Sequence, residues 1–505
     1  MIQIKYLSHS CFLVICGKTK LLMDPWLKDP AYDKQWFLWP LPAMKPEELD
    51  ADVILISHGH EDHLHTSTLK ALDKKSSIFF PFQWREGIRP FMQHLGFGEV
   101  TEAVNFKTYY FQEIEITYIS FSLESVIVIK YGEEVLVNIN DALNSNHENA
   151  ARFMLEKIKT RWPVITYLVS GWSGASYFPN QIRYPGKNDT ETGQLREQYF
   201  ANNFCTFTNY LQPAYALPIA PGFVLLKREN QWINRVKFSR NAVAGYYRTH
   251  YQNTSFTEML VLYPGDTVKE GSVEINSALH AVSEEEQEQM AYRHYEKEIN
   301  EVNRPALFPE AELDELLSQL AYWTNINKEL YHATVLKDTD FMLHLEDVEG
   351  DALFHIYYQD KKFIIERKKE SAASSKLLIS TSGRRLLLAF QKMWGGDLLS
   401  IGYGLRVDVY EELSLEKNLD IVCVRLISRY PMTRRDMMRQ PLRALKFYLS
   451  SPQSTTLWIR QKLLLKPYVN KYPFNERDHW ITYSKCSLCA VCKMPEIDLG
   501  AYRTK

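Results

Sequence analysis

The sequence is short of several things that would assign it to a class at once. Its 505 residues hold seven cysteines, too few for a disulfide framework, and three of them crowd into the last twenty residues. No apolar run approaches the roughly 18 to 20 residues a bilayer span needs. The opening Met1-Ile2-Gln3-Ile4-Lys5-Tyr6 reads as a strand and not as a signal peptide, so the expected compartment is the cytoplasm. Net charge is only −2, which gives no long-range field to draw the chain to nucleic acid, and none is expected as a partner. There is no Walker lysine, no dinucleotide fingerprint, no internal repeat and no low-complexity tract. With 45% hydrophobic and 24% charged residues, the chain has the material for packed cores, and disorder is excluded as its main state.

What is there first is a series of short β-type runs, Ile4 to Tyr6, Cys11 to Ile15, Leu21 to Met23, Val53 to Ile56, Ile114 to Phe121 and Val126 to Asn140. Tyr131-Gly132-Glu133-Glu134 between two β-branched runs predicts a hairpin that ends at Asp141. Helical period follows over Glu148 to Thr160 and Gln194 to Leu211, with a strand over Val164 to Val169 between them. The acidic run from Glu284 to Glu288 predicts a helix with a solvated face, and a second helix is expected from Glu310 to Tyr331. The C-terminal part opens as a meander, Phe341 to Leu345, Leu353 to Tyr358 and Phe363 to Glu366. Leu377 to Ser380 and a helix from Gly383 to Met393 follow, with Gly395-Gly396 as its stop. That order resembles the sterol-carrier-like α+β module. The expected division is a metal-binding catalytic domain over 1–280, a helical linker over 281–309, an α+β domain over 310–480, and a cysteine-rich tail over 481–505.

The stretch most informative about chemistry is Val53-Ile54-Leu55-Ile56-Ser57-His58-Gly59-His60-Glu61-Asp62-His63. A buried-type strand ends in four metal-ligand side chains within six residues. The strand fixes their base, and the turn at Gly59 lets them converge. Imidazole nitrogens with a carboxylate suit zinc, iron or manganese. The loop Ser170-Gly171-Trp172-Ser173-Gly174-Ala175-Ser176 is either a substrate loop that offers backbone N–H groups to an anion or a tight structural turn.

The His-x-His-x-Asp-His motif, with His9 in Ser8-His9-Ser10-Cys11 and Asp24 in Leu22-Met23-Asp24-Pro25-Trp26, resembles the metallo-β-lactamase superfamily. That implies an α/β class with an αββα sandwich and a metal site on one edge. Several segments resemble the catalytic region of CMP-N-acetylneuraminate hydroxylase: Asp24 to Leu27 with the aromatic run Trp36-Phe37-Leu38-Trp39, the loop from Ser170 to Pro179, and Leu211-Gln212-Pro213 with Ala220-Pro221-Gly222-Phe223. The resemblance implies His58 and His60 on a first metal, Asp62 and His63 on a second, and Asp141 bridging them; on that placement His58, His60 and Asp141 would form a two-histidine, one-carboxylate set, the pattern of non-haem iron oxygenases, and the same three could hold zinc with one position left for water. It also implies an orienting role for Asp24 toward a ligand imidazole. His9 is either a packed histidine of the first hairpin or a further orienting residue. The chain departs from the hydroxylase at two expected histidine positions, which hold Ser120-Phe121-Ser122, with Glu124 the nearest carboxylate, and Val224-Leu225-Leu226-Lys227.

The hydroxylase carries a Rieske domain, and no Cys-x-His paired with Cys-x-x-His occurs here. Cys486, Cys489 and Cys492, with His479 ahead of them, are read as a second metal site for zinc, an iron-sulfur cluster, or unligated thiols. From Arg425 to Lys471 eleven Lys and Arg stand against one acid, Asp436. That block could dock an acidic electron-transfer protein, hold an anionic substrate, lie on acidic lipid, or be a solvated face paired with the acidic helix. The leading expectation is a metal-dependent, iron-using oxidoreductase acting on a polar, anionic small molecule. The alternatives are a zinc hydrolase of a phosphoester, lactone or amide, and a lipid or small-molecule binding protein with a decayed metal site.

Overall fold

The computed structural model describes residues 1–83, 88–120, 124–144, 148–174, 180–183, 186–251, 255–328, 340–350, 352–368, 375–392, 395–410, 424, 426–429, 438–452 and 455–456. Two sheets face each other. The first has eight strands in the order Ser272–Glu274, Thr267–Lys269, Ile2–Ser8, Cys11–Cys16, Thr19–Met23, Val53–Leu55, Ser77–Pro81, Val100–Ala103. The second has seven, Glu258–Met259, Tyr215–Pro218, Tyr167–Ser170, Glu134–Asn140, Ser125–Tyr131, Ile114–Ser120, Thr108–Phe111.

Period-two alternation explains the layering. Val53 and Leu55 point into a core shared with Ile127, Ile129, Leu136 and Val169 of the second sheet. Ile54 and Ile56 point the other way, to Leu69, Leu72 and Met92 in the region of the helices Thr66–Ala71 and Arg89–His94. The outer face of the second sheet is covered by Glu148–Arg161, Asp189–Leu211 and Arg240–Tyr251, through Met154, Leu155, Phe204 and Val243. The result is helix, sheet, sheet, helix, as the motif resemblance implied.

A third sheet has six strands, Ile182–Arg183, Leu405–Val409, Leu377–Thr381, Phe341–Leu345, Ala352–Gln359 and Lys362–Lys368. The meander lies where the alternation placed it. Its edge strand, Ile182–Arg183, comes from the sequence between the sandwich strands and pairs in parallel with Val407 and Asp408. One core joins Leu343, Ile379 and Val407 to Trp26, Tyr32, Trp36 and Phe223, so this sheet packs directly against the segments that border the candidate site.

Local differences from the sequence expectations have local causes. The helix expected from Gly383 to Met393 ends at Gln391, capped at Lys392, and Gly395–Leu399 forms a further short helix instead of acting as a stop. The helix expected from Glu310 begins as a 3-10 turn, Glu310–Glu312, before Leu313–Ile326. The longest helix among the described residues starts at Asp189 and not near Gln194, because the Asn188 side chain caps it by accepting from Glu191 N. No helix among the described residues is long and apolar enough to cross a membrane.

Candidate metal centre

The parallel strands Thr19–Met23 and Val53–Leu55 end in Asp24 and in Ser57-His58. Across the sandwich, Glu134–Asn140 and Tyr167–Ser170, also parallel, end in Asn140-Asp141 and Gly171. The carboxyl ends of both sheets therefore deliver polar side chains to one crevice, the usual location of a site in parallel sheets. Register shifts occur between Tyr6 and Ser8 and between Asn138 and Asn140, and such irregularities re-aim the side chains beside them. His9, Asp24, Asn140 and Ala220 all have positive φ, 36°, 38°, 49° and 48°. Non-glycine residues hold that conformation only when their surroundings over-determine it.

Asp24, fully buried, is the hub. Its Oδ1 accepts from Ser57 N at 2.7 Å, and its Oδ2 accepts from Ser57 Oγ at 2.8 Å and from Asn140 Nδ2 at 2.6 Å. The same Oδ2 lies 3.2 Å from His63 Nδ1. Because the Ser57 hydroxyl gives its proton to Asp24, it can only accept from His58 Nδ1, 2.9 Å away. Both imidazoles are thus held with a proton on Nδ1, and both turn Nε2 into the crevice.

Those nitrogens meet carboxylates. His63 Nε2 is buried without a hydrogen-bond partner, 3.2 Å from Asp62 Oδ2 and 3.4 Å from Asp141 Oδ2. His58 Nε2 lies 2.8 Å from His60 Nδ1 and 3.8 Å from Asp141 Oδ2. Two groups of metal-ligand atoms follow, His58 with His60 and Asp141, and His9 with Asp62 and His63, the atoms within each group lying within 4.8 Å of one another. A buried imidazole nitrogen between two carboxylate oxygens needs a cation there, a proton or a metal, and the nitrogen and oxygen donor set fits zinc, iron or manganese. Burial opposes a charge on His63, but Asp62 and Asp24 outweigh it and hold its pKa well above the usual histidine value. Burial, then the neighbouring His63 and His60, push His58 well below it, so that imidazole is neutral.

His9 does a different job. Its Nδ1 accepts from Gly222 N at 2.9 Å, which puts its proton on Nε2, 3.1 Å from Asp62 Oδ2. It therefore donates to Asp62, a contact that holds that carboxylate in place. Burial lowers its pKa, in keeping with a neutral ring. Tyr32 Oη donates to the other oxygen, Asp62 Oδ1. Trp26, Trp36 and Phe223 wall this side, with Trp36 and Phe223 stacked at 3.6 Å, so water is kept from Asp62 while Asp141, 28% exposed, faces the open side. His65 sits outside the constellation. It caps Thr66–Ala71 through Thr68 N and lies 3.1 Å from Pro30 O.

The Gly/Ser loop is described as far as Gly174. Ser170 is buried, the Ser173 hydroxyl donates to Glu197, and a Cβ on Gly171 would lie 3.5 Å from Asp141 Oδ1. Its hydroxyls are thus turned inward, while its backbone borders the metal crevice. Ser176 lies outside the described residues, as do His479, Cys486, Cys489 and Cys492. At the two departures from the hydroxylase, Ser120 Oγ is 2.5 Å from Ser125 Oγ, and Val224 and Leu226 pack with Phe37, Ala291 and Tyr295, so neither Ser120 nor this apolar stretch brings a ligand. Sequence reasoning missed Tyr32, Ser57, Asn140 and Gly222. Ser57 and Asn140 each stand directly before a candidate ligand at a strand end, which was a usable signal, whereas nothing local marked Tyr32 or Gly222.

Residues 3–151 match the beta-lactamase superfamily domain. The chain is 37% identical over 76 residues to cytidine monophosphate-N-acetylneuraminic acid hydroxylase of Danio rerio, covering 15% of this chain and 13% of that protein. The Cricetulus griseus protein of the same name is 41% identical over 76 residues, 15% and 14% of the two chains. The chain thus matches only about a seventh of the length of these relatives. Among solved structures, CmlA, a diiron β-hydroxylase from Streptomyces venezuelae, aligns with a TM-score of 0.35 at 18% identity over 52% of this chain and 53% of its own. The metallo hydrolase Igni18 from Ignicoccus hospitalis aligns with a TM-score of 0.33 at 14% identity over 55% and 99%. The helix-sheet-sheet-helix layers and the His-x-His-x-Asp-His crevice of the N-terminal part thus overlap the residues, 3–151, that match the beta-lactamase superfamily domain.

Proposed function

We propose that this chain is a metal-dependent oxidoreductase that oxidises a polar, anionic small molecule at a pair of iron ions. His58 and His60 would hold one ion, Asp62 and His63 the other, and Asp141 would bridge them. The observation that carries the reading is the position of Asp141 Oδ2, 3.8 Å from His58 Nε2 and 3.4 Å from His63 Nε2, so that one carboxylate serves both imidazoles. Two-histidine, one-carboxylate sets leave coordination positions open, as oxygen chemistry requires. The local identity with the hydroxylases points the same way.

In this reading the side chains have separate tasks. Asp24 and Ser57 fix the tautomers of His58 and His63, while His9 and Tyr32 hold Asp62 against rotation. Bound iron would supply the one-electron steps that amino-acid side chains lack. An anionic substrate group is favoured by charge. Behind the loop that borders Asp141, the buried Arg196 and Glu197 pair at 2.8 Å, and Lys237 adds a second cation, pushed down to about 7 by burial. Arg196 and Glu197 offset each other, and Lys237 adds positive charge only in the fraction that stays protonated.

The test is oxygen consumption by iron-loaded protein with an artificial reductant and candidate anionic substrates. Uptake that depends on both reductant and substrate supports the proposal. Turnover of phosphoesters or lactones by zinc-loaded protein without reductant would replace it with the hydrolase reading.

A further inference from the structure

Beside the metal crevice lies a cavity of about 160 Å³ with Lys237 and Arg240 in its lining. The two cations flank Phe238-Ser239, the link between the helices Gln231–Val236 and Arg240–Tyr251. The Phe223 ring separates cavity from crevice. One face of it stacks on Trp36, centroid to centroid 3.6 Å and within 5° of parallel, so the Lys237 ammonium, 3.4 Å from the ring centroid, occupies the other face. Trp36 belongs to the wall around Asp62, and Lys237 to the cavity.

These cations lack counter-charge. Lys237 Nζ donates to Phe223 O at 3.0 Å, and the guanidinium of Arg240, a residue only 5% exposed, donates to Leu262 O and to Tyr6 Oη. Neither forms an ion pair among the described residues. Glu197, the carboxylate whose field reaches Lys237, is already paired with Arg196 at 2.8 Å, and burial pushes Lys237 down to about 7. Two acids of the helix Glu284–His294 also line the cavity, but both are otherwise accounted for. Glu288 Oε1 takes Arg235 Nε at 3.2 Å and Tyr292 Oη at 2.7 Å, while Glu284 is exposed, where water screens its charge. A buried cation is costly unless something neutralises it.

A third donor is open. Trp39 Nε1, an atom that can only donate, is buried without a hydrogen-bond partner in a residue of the same lining. Around these polar groups stand the rings of Trp172, Phe223 and Tyr263. Apolar walls with a few convergent polar groups are the make-up of small-molecule sites, and a cavity of roughly 150 Å³ admits a benzene-sized body.

We propose that this cavity binds a small oxyanion with a flat, ring-sized body, a carboxylate or a phosphate ester. Its oxygens supply the counter-charge to Lys237 and Arg240 and an acceptor to Trp39 Nε1. Trp39 N donates to Gly222 O at 3.1 Å, and Gly222 N donates to His9 Nδ1 at 2.9 Å, so the ligand sits against the segment that holds His9 without entering the metal crevice. The site stands whichever ion the crevice holds and whichever reaction takes place there.

The experiment is calorimetric titration of the full chain with benzoate and with phenyl phosphate, and with benzyl alcohol as the neutral compound of similar size. One of the two oxyanions is expected to bind at least about tenfold more tightly than the alcohol, and which one does so separates carboxylate from phosphate ligands. Lys237→Met should weaken that binding by roughly tenfold or more, and Trp39→Phe severalfold. Met replaces the apolar stem and leaves no buried charge, and Phe keeps the aromatic wall, so the thermal transition checks that both variants fold. Asp141→Ala should leave the binding unchanged. Oxyanions that bind no better than the alcohol, or binding unchanged in a folded Lys237→Met or Trp39→Phe variant, overturn the proposal. So does binding that Asp141→Ala abolishes, since the oxyanion would then sit in the metal crevice.

Discussion

Asp24 and His63 are both fully buried, thirty-nine positions apart in sequence, with Asp24 Oδ2 3.2 Å from His63 Nδ1. The same carboxylate oxygen takes the Ser57 hydroxyl that receives His58 Nδ1. One aspartate therefore sets the tautomers of two imidazoles, which then present their Nε2 atoms to the carboxylates Asp62 and Asp141. Without that arrangement, the four ligand-type side chains of the motif would be a polar turn.

Asp24→Asn is expected to keep the fold and lose the tautomer control, because an amide N–H faces the groups that now donate to a carboxylate. Metal affinity should fall by roughly 10- to 100-fold, the range found when orienting partners of metal ligands are removed. Competition against a chromogenic chelator measures it, and an affinity equal to wild type would contradict the assignment of Asp24.

Gly222 makes a close approach that only glycine allows. A Cβ there would lie 2.7 Å from His9 Cα and 2.8 Å from His9 N, both backbone atoms that cannot step aside alone. Gly222→Ala should displace His9, release Asp62 and lower stability by about 1 to 3 kcal/mol. A fall in Tm together with reduced metal occupancy is the expected result. Gly98, which has no neighbour within 4 Å, provides the control Gly98→Ala, with occupancy unchanged.

Tyr32→Phe removes one donor to Asp62 without opening a cavity. The carboxylate keeps His9 as a partner, so the expected loss is about 1 to 3 kcal/mol of stability and a severalfold weakening of metal binding. Thermal unfolding with and without metal separates the two effects.

Asp29 gives a pH signature away from the metal. Burial pushes its carboxyl up from 3.8 to about 6, against hydrogen bonds from Tyr295 Oη and Leu38 N. A raised acid stabilises the fold below its unfolded pKa, and that stability is lost as pH rises through the folded value. Wild type should therefore lose up to about 3 kcal/mol at this site between pH 4 and 6. Asp29→Asn should flatten that segment of the stability curve. Identical pH profiles for the two proteins would refute the assignment.

Much of this was legible before the structure. The apolar strand before Ser57, the hairpin ending at Asp141 and the six-residue ligand motif are local patterns, and period-two alternation places their side chains. The meander from Phe341 to Lys368 was visible for the same reason. What escaped depends on contacts between distant segments. The pairing of Ile182–Arg183 with Leu405–Val409 joins residues more than two hundred apart, and two residues carry no strand signature. Tyr32 reaches Asp62 across thirty positions, and Gly222 reaches His9 across more than two hundred. Neither partnership leaves a periodic trace. The two readings of His9 were separable only by the Gly222 N–H that fixes its proton.

The most direct test of the metal centre is metal content per chain, by mass spectrometry, in protein purified without air and compared with Asp141→Ala. The account predicts two metal ions in the wild type and a loss of at least one when the bridging carboxylate is removed. A wild-type chain that takes up no metal from excess iron, zinc or manganese, or an Asp141→Ala variant with undiminished content, would contradict it.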